Sequence, residues 1–496
     1  MQKLNAFYAE KKTRKLLLGV LFACAMLPNL SFGTIRVGLI ATIPLSFTYF
    51  FSLVFAPWLL CHVRRWRLPP WPVTGLFAFV ILYALAAGVR FGISRTLLNW
   101  VFGAYLLLVC VNLGADFAWE DWQDVLKYPM LLFAVLEAGN VALQSRELLG
   151  MAGRVASGEI AYYRPEFRSL TRGGVNLDAS WMGLGCFFMA RRGEKYAYWL
   201  WAALFAGLYS SRTGIVACGV YLVWAVCTDR DWRPNRKTVW IFAGAAAAAL
   251  AVLYVSGALS LIVDRFLGKV NGGDVLAGRG AMWSNVWRMF RDNPFGCGVG
   301  NAMIVMSRDY GFKSYEDNLH NVFFQFVLDE GFLGALWYAA LVAGFLRREL
   351  RARLRHPLAG YFCCWLVLSL VEFHGGEVQM QFVLGAYLAC RMLVRAPAPG
   401  QPAEPQPGLW TGFLPRGRVK KTATRSGADA EKTPDGAGAA AGKAAVEAAE
   451  SGRTAAGNAA DEAGGANTAA EAADSEKTAA GGARETEAQR APEQPG

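Results

Sequence analysis

The sequence predicts an all-α polytopic membrane protein with about twelve transmembrane helices, and three observations predict it. Hydrophobic residues make up 54% of the 496 residues and charged residues only 18%, which is too apolar for a soluble fold. Many apolar runs approach the roughly 20 residues that a helix needs to cross a bilayer. The short loops between them alternate in basic charge, as in a chain that crosses a membrane repeatedly. A soluble enzyme and a nucleic-acid-binding protein are therefore excluded as first interpretations.

Each apolar run defines one predicted helix. The first follows a basic N-terminal segment, and we interpret it as a retained helix because no convincing signal-peptide cleavage site comes after it. The predicted helices lie near 15–32, 37–60, 72–90, 97–113, 127–144, 176–191, 196–211, 213–228, 239–258, 319–346, 358–373 and 377–394.

The net charge of +12 is unevenly distributed, and its distribution predicts the orientation. Residues 396–496 hold 11 Lys and Arg against 14 Asp and Glu, so residues 1–395 carry a net charge of +15. Basic clusters border alternate loops, at 11–15, 64–67, 191–195, 230–237 and 347–355. The positive-inside rule assigns these clusters and both termini to the cytoplasm.

Two longer loops, 145–175 and 259–318, then fall on the outer face. A loop of sixty residues is longer than a turn between helices requires, so 259–318 is a candidate functional segment of a catalytic membrane domain spanning 1–395. Residues 396–496 are rich in Ala, Gly and Glu with few aromatic residues, which predicts a disordered cytoplasmic tail.

Cysteine and histidine usage predicts no metal site and no cofactor. Nine of the ten cysteines fall in or beside apolar runs, where a thiol behaves as a small hydrophobic group. The four histidines are scattered along the chain, and no group of Cys and His has the spacing of zinc ligands.

The outer segment contains an amphipathic helix followed by a glycine-rich loop. Apolar residues recur at helical spacing after Arg279: Met282, Trp283, Val286, Trp287 and Phe290. Asn293-Pro294 ends this helix, and Gly296, Gly298 and Gly300 alternate after it. Alternating glycines permit positive φ and close backbone approach, so the loop is either a phosphate-binding site or a tight turn.

Two further residues at the mouths of apolar runs are candidates for chemistry. His320 has Glu316 and Asp317 close in sequence, which would orient its ring and raise its basicity; the alternative is an interfacial histidine without a catalytic role. Arg212 lies between two apolar runs on the same predicted face, with no acidic neighbour in sequence. A charge at the bilayer boundary is a candidate functional residue, although a counter-ion from another helix would also explain it.

These residue types fit one kind of reaction well. Arginine binds the oxygens of a phosphate or pyrophosphate through two N–H groups, and a neutral histidine removes a proton from a hydroxyl group. Transfer of a glycan from a lipid pyrophosphate to a hydroxyl acceptor needs both, because the leaving pyrophosphate gains charge in the transition state.

The ordered combination of motifs resembles the O-antigen ligase/polymerase superfamily of bacterial polytopic glycosyltransferases. The resemblance covers about residues 200–340 and, in outline, the helical frame of 1–395. It is carried by Ser211-Arg212-Thr213-Gly214, Gly278-Arg279 with Trp283, Asn293-Pro294 through Gly300-Asn301, and His320-Asn321 with Gly331 and Gly334.

The resemblance implies a GT-C-like fold in the bacterial inner membrane with the active loop in the periplasm. It implies metal-independent, inverting transfer of a glycan en bloc from undecaprenyl pyrophosphate. By position, Arg212 and Arg279 would bind the pyrophosphate, together with Gly298 and Gly300 of the glycine loop, and His320 would be the general base.

Family members differ in their acceptor, which is a lipid A–core sugar, another glycan, or a protein Ser or Thr. The moderate outer loop, without a large C-terminal periplasmic domain, favours the lipid A–core ligase. Arg168 and Arg172, in the 145–175 loop, are candidate acceptor contacts. The expected partners are the lipid-linked donor, the hydroxyl acceptor and membrane lipid, with no nucleic acid.

Two other classes of function compete with this interpretation. Twelve helices is a common count among transporters, including transporters of lipid-linked glycans, but no matched half-repeat is evident and the polar residues gather in an outer loop. If the chain were a structural or assembly protein, Arg212, Arg279 and His320 would have no evident role.

Overall fold

The computed structural model describes a mainly helical chain. Its description covers residues 2–27, 31–37, 41–63, 66–157, 159, 169–170, 174–228, 251, 279–312, 318–373 and 375–391. All of these lie in one compact unit, Met1–Val419. The predicted helix at 239–258, apart from residue 251, and the predicted disordered tail at 396–496 lie outside the described residues.

The secondary structure follows the apolar runs in most places. The first half contains α1 (Gln2–Ala9), α2 (Lys11–Met26), β1 (Ser31–Val37), β2 (Ala41–Ser46), α3 (Phe47–Ser52), α4 (Ala56–Cys61), α5 (Trp71–Phe91), α6 (Thr96–Leu113), α7 (Trp119–Leu143) and α8 (Ser145–Ala156). The second half contains α9 (Gly174–Gly185), α10 (Arg192–Leu208), α11 (Arg212–Thr228), α12 (Arg279–Asp292), α13 (Ala302–Tyr310), α14 (Val322–Asp329), α15 (Gly331–Arg351), α16 (Pro357–Leu368) and α17 (Val378–Arg391).

Three helices among the described residues are long and apolar enough to cross a membrane: α5, α6 and α7. Other apolar helices are shorter, among them α11 with 17 residues and α16 with 12. The chain is therefore a helical membrane protein, whereas the count of twelve spans and the GT-C-like arrangement stay predictions.

The predicted span at 37–60 is wrong as a single helix, because its first part belongs to a short hairpin within a mainly helical fold. Strands β1 and β2 pair antiparallel, with Ile35 opposite Ile43 and Thr34 opposite Pro44. β-branched residues favour strands over helices, and a two-stranded ribbon tolerates Pro44 because both of its strands are edge strands. The first predicted helix, 15–32, ends at Met26, before the hairpin begins. The first helix after the hairpin begins at Phe47.

The predicted span at 319–346 is also divided. α14 ends at Asp329 and α15 begins at Gly331, which has φ of 65°. A left-handed residue interrupts the helical hydrogen-bond ladder, and glycine adopts this conformation without strain.

Small residues let the helices that carry the site approach each other closely. Gly385 of α17 faces Cys110 of α6, and Gly214 of α11 faces Ala179 of α9. Side chains larger than hydrogen at these glycines would meet the neighbouring helix, as in other close helix pairs of membrane proteins.

An ion-pair network lies at the N-terminal ends of α2 and α7, on the predicted cytoplasmic side. The Arg14 guanidinium donates to both carboxylate oxygens of Asp116 at 2.7 and 2.8 Å, and Lys15 Nζ lies 2.7 Å from Asp124. Burial raises the pKa of Asp116, but the hydrogen bonds with Arg14 and the positive charges of Arg14 and Lys11 together outweigh it and hold that pKa below its ordinary value.

Candidate functional site

Arg279 begins α12, and its guanidinium contacts the segment that joins α16 to α17. Nη2 lies 3.2 Å from Oε2 of Glu372, and Nη1 donates to the carbonyl oxygen of Val371. The indole of Trp283 donates to the carbonyl oxygen of Leu319 at 2.9 Å, which fixes α12 against the segment that precedes α14. Arg279 is thus a largely buried, anchored cation.

The predicted amphipathic helix is confirmed over the length of α12. Met282 and Val286 are buried, as is Met289, whereas Trp287 is 68% exposed and does not share the buried face. The hydroxyl of Tyr310, at the end of α13, donates to Asp292 at 2.6 Å. Burial, then the bond to Asp292, raises the pKa of Tyr310 to about 12, so this contact between α12 and α13 persists at neutral pH.

His320 lies in a turn that is bonded to the same inter-helix segment as Arg279. Its own φ is 51°, a left-handed conformation that is strained for a residue other than glycine, and its N–H donates to Asn318 Oδ1 at 2.8 Å. The next residue, Asn321, caps α14 by accepting from the N–H of Phe324 at 3.0 Å. Its Nδ2 donates to the carbonyl oxygen of Leu370, also at 3.0 Å. The turn therefore holds the His320 backbone in a conformation that it would not adopt alone.

The ring of His320 contacts the same segment. Nδ1 lies 3.4 Å from the carbonyl oxygen of Glu372. A carbonyl oxygen only accepts hydrogen bonds, so this contact is a hydrogen bond when Nδ1 carries the proton, and in the neutral ring that places the lone pair on Nε2. A general base that acts through Nε2 requires this tautomer.

Glu372 connects the two candidate residues, and the sequence motifs do not identify it. Its side chain pairs with Arg279, and its main chain accepts from His320. Only 4% of its side-chain surface is exposed. The one sequence signal was an acidic residue near the end of a predicted span, 358–373, where a charge is costly without a partner.

The glycine loop binds a carboxylate of the chain itself. Gly296, Gly298 and Gly300 all have positive φ, at 91°, 84° and 76°. The N–H of Gly298 donates to the main-chain oxygen of Asp329 at 2.7 Å, and the N–H of Gly300 donates to its Oδ2 at 2.8 Å. Asp329 Oδ1 also accepts from the N–H of Ala302 at 3.1 Å. The predicted nest of backbone N–H groups exists, and the anion in it is Asp329, which is 2% exposed.

Arg212 lies at the same end of the helices as Arg279 and His320. α11 and α16 run antiparallel, because Trp224 donates to the carbonyl of Leu354 while Cys364, ten residues further on, donates to that of Ala217. The N-terminus of α11 is therefore level with the C-terminus of α16, which leads directly into the segment of Val371 and Glu372. The structure brings Arg279 and His320 into contact with one segment and places Arg212 at its level.

The remaining predicted residues lie outside the described part of the chain. These are Arg168 and Arg172 in the 145–175 loop, Glu316 and Asp317 before His320, and Gly278 before Arg279. Their predicted roles stay predictions.

Fold and site together define a helical membrane protein with an anchored arginine and a histidine beside one inter-helix segment. Residues 197–339 match the family model described as O-antigen ligase. The match confirms the resemblance to the O-antigen ligase/polymerase superfamily over the part of the chain that contains Arg212, Arg279 and His320, and it indicates a ligase- or polymerase-type membrane glycosyltransferase. Glu372 lies beyond the matched residues. A comparison with curated proteins gives no match.

Proposed function

We propose that the chain transfers a glycan en bloc from undecaprenyl pyrophosphate to a sugar hydroxyl of lipid A–core, at the periplasmic face of a bacterial inner membrane. The family match supports the class of reaction. The observation that carries the site is that one segment, Val371-Glu372, binds both the guanidinium of Arg279 and the ring of His320.

The reaction uses His320 as base and the arginines as electrostatic groups. Nε2 of His320 accepts the proton of the acceptor hydroxyl as its oxygen attacks the anomeric carbon of the donor glycan. The bond from that carbon to the pyrophosphate oxygen breaks, and the pyrophosphate leaves with the electron pair. Attack opposite the leaving group inverts the anomeric configuration. Arg279 and Arg212 stabilise the charge that develops on the pyrophosphate, which is preorganised electrostatic catalysis without a metal ion.

Not every residue of the predicted site enters this mechanism. Gly298 donates to the main-chain oxygen of Asp329 and Gly300 to its buried carboxylate, so a pyrophosphate would have to displace both bonds to use these N–H groups. We leave both glycines out of the donor site and assign their loop to supporting α13. Arg168 and Arg172 remain candidates for acceptor contacts.

Reconstitution of the purified protein with a lipid-pyrophosphate glycan and three acceptors tests the proposal. A lipid A–core product supports the ligase, a lengthened glycan indicates a polymerase, and a modified Ser or Thr indicates a protein O-oligosaccharyltransferase. Movement of the donor across the bilayer without any new glycosidic bond would identify a transporter and refute the proposal. Transfer that stops on chelation by EDTA and resumes with a divalent cation would refute its metal independence.

A further inference from the structure

A buried carboxyl outside the site described so far lies beneath the turn that precedes Arg212. Glu137 of α7 and Asp178 of α9 are both fully buried. Oε2 of Glu137 accepts from the hydroxyl of Tyr209 at 2.8 Å and from Nδ2 of Asn140 at 3.2 Å. A carboxyl in the outer half of a membrane-spanning helix is costly to bury, so its retention calls for a reason that packing does not provide.

Each of these carboxyls accepts hydrogen bonds from its own donors. Asp178 Oδ2 accepts from the N–H of Leu170 at 3.0 Å. Glu137 accepts from Tyr209 and Asn140, and these bonds offset part of the cost of burying its carboxyl.

Tyr209 connects this carboxyl to the N-terminus of α11. It follows the last residue of α10, it is 1% exposed, and its ring lies 4.0 Å from that of Phe205. The next residue, Ser210, is left-handed with φ of 52°. Ser211 then donates its N–H to Ala206 at 2.9 Å, and Arg212 begins α11.

The turn is thus fixed at both ends. The Tyr209 hydroxyl is bonded on the α7 side, and Ser211 Oγ accepts from the N–H of Gly214 at 3.2 Å on the α11 side. Arg212 extends from a short, strained connection between these two anchors. A strained residue such as Ser210 persists only where its surroundings impose the conformation.

We infer that Tyr209, held by Glu137, is a positioning residue for Arg212. This inference rests on the proposed function, because the role given to Tyr209 is to orient the Arg212 guanidinium that binds the donor pyrophosphate. Glu137 on α7 and Tyr209 at the end of α10 then contribute to donor binding without contacting the donor.

A double-mutant cycle between Tyr209→Phe and Arg212→Ala tests the inference. In the wild-type background, Tyr209→Phe is expected to lower kcat/KM for the lipid-pyrophosphate donor about tenfold, mainly through a higher KM for the donor. The KM for the acceptor is expected to stay unchanged. In the Arg212→Ala background, Tyr209→Phe is expected to cause no further loss, because the guanidinium that Tyr209 orients is absent.

The Glu137 variants provide a second measurement should Tyr209→Phe fail to accumulate in the membrane. Glu137→Gln keeps an oxygen for Tyr209 and is expected to retain near wild-type kinetics, while Glu137→Leu is expected to reproduce the tenfold loss. Tyr361→Phe is the matched control, since it also removes the hydroxyl of a fully buried tyrosine, on α16.

Two results would overturn the inference. One is a loss from Tyr209→Phe that is equally large with and without Arg212, and the other is a Glu137→Leu protein with an unchanged KM for the donor. Failure of the proposed function would look different, because the wild-type protein would then form no product from the lipid-pyrophosphate donor.

Discussion

Replacing Glu372 is expected to impair Arg279 and to leave the main-chain contact with the His320 ring in place, because different parts of Glu372 contact the two residues. The side-chain oxygen lies 3.2 Å from the Arg279 guanidinium, whereas the main-chain oxygen lies 3.4 Å from the His320 ring. A substitution removes the first contact and keeps the second.

The magnitude follows from the ion pair. At 3.2 Å, Coulomb attraction is about 5 kcal/mol for an effective dielectric constant of about 20, before any desolvation cost. Breaking a buried pair by removing one partner costs about 3–5 kcal/mol. If about 2–3 kcal/mol of this appears in the transition state, kcat/KM of Glu372→Ala for the donor falls about 30- to 150-fold. Glu372→Gln keeps a hydrogen bond and is expected to lose about tenfold or less.

The assay is glycan transfer by reconstituted protein at varied donor and acceptor concentrations, with Glu377→Gln as the matched control. Glu377 is buried on the same segment, but its carboxylate accepts from the N–H of Gly375 at 3.0 Å. In Glu372→Ala the loss should appear in kcat/KM for the donor, and the KM for the acceptor should not change. A raised KM for the acceptor, or equal losses in Glu372→Ala and Glu377→Gln, would refute the reasoning.

Four further outcomes are expected. His320→Ala should lower kcat by about 10² to 10⁴ with normal membrane insertion, and near-normal transfer by this variant would exclude a base at this position. Gly300→Ala should lower the thermal unfolding midpoint, since the residue has φ of 76° and its new methyl group would meet the hydroxyl of Ser94; an unchanged midpoint contradicts this. The lowered pKa of Asp116 means that its ion pair stabilises the fold above the unfolded-state pKa and is lost as the pH falls through the folded-state pKa; acid should therefore reduce the stability of Asp116→Asn less than that of wild type. Deleting the Ala/Gly/Glu-rich tail from residue 400 onward should leave transfer intact, and loss of activity in a normally inserted truncation would show that the tail contributes.

Periodicity and breaking residues predicted much of the helical frame. α5, α6 and α12 match apolar runs whose ends are marked by Gly or by Asn-Pro. The hairpin of β1 and β2 was missed because hydropathy averaged over about 20 residues does not distinguish a strand pair from a helix. The break at Gly331 was missed because a single glycine is often tolerated inside an apolar helix.

Some residues of the candidate site can be identified from short sequence motifs, and others only from contacts in the folded chain. Arg212 and His320 are identifiable because each lies in a short motif at the mouth of an apolar run, and Arg279 because it opens the amphipathic helix of the outer loop. Glu372 lies 52 positions after His320, and its importance arises from a contact that only folding creates.

The glycine loop shows a second limit of local information. Alternating glycines produce a nest of N–H groups for any anion, so the pattern does not distinguish a substrate phosphate from Asp329.

The hydrogen bonds between Asp329 and the glycine loop predict how the effect of substitutions in that loop can be suppressed. Because the loop's N–H groups meet a carboxylate of the same chain, a substitution there loosens the junction of α13 and α14 without removing a group from the reaction. Activity lost in this way should return at a lower growth temperature, or with a stabilising substitution elsewhere in the membrane domain. Activity lost by substituting His320 should not return under either condition. A suppressor screen would therefore separate the residues that build this end of the protein from those that perform its chemistry.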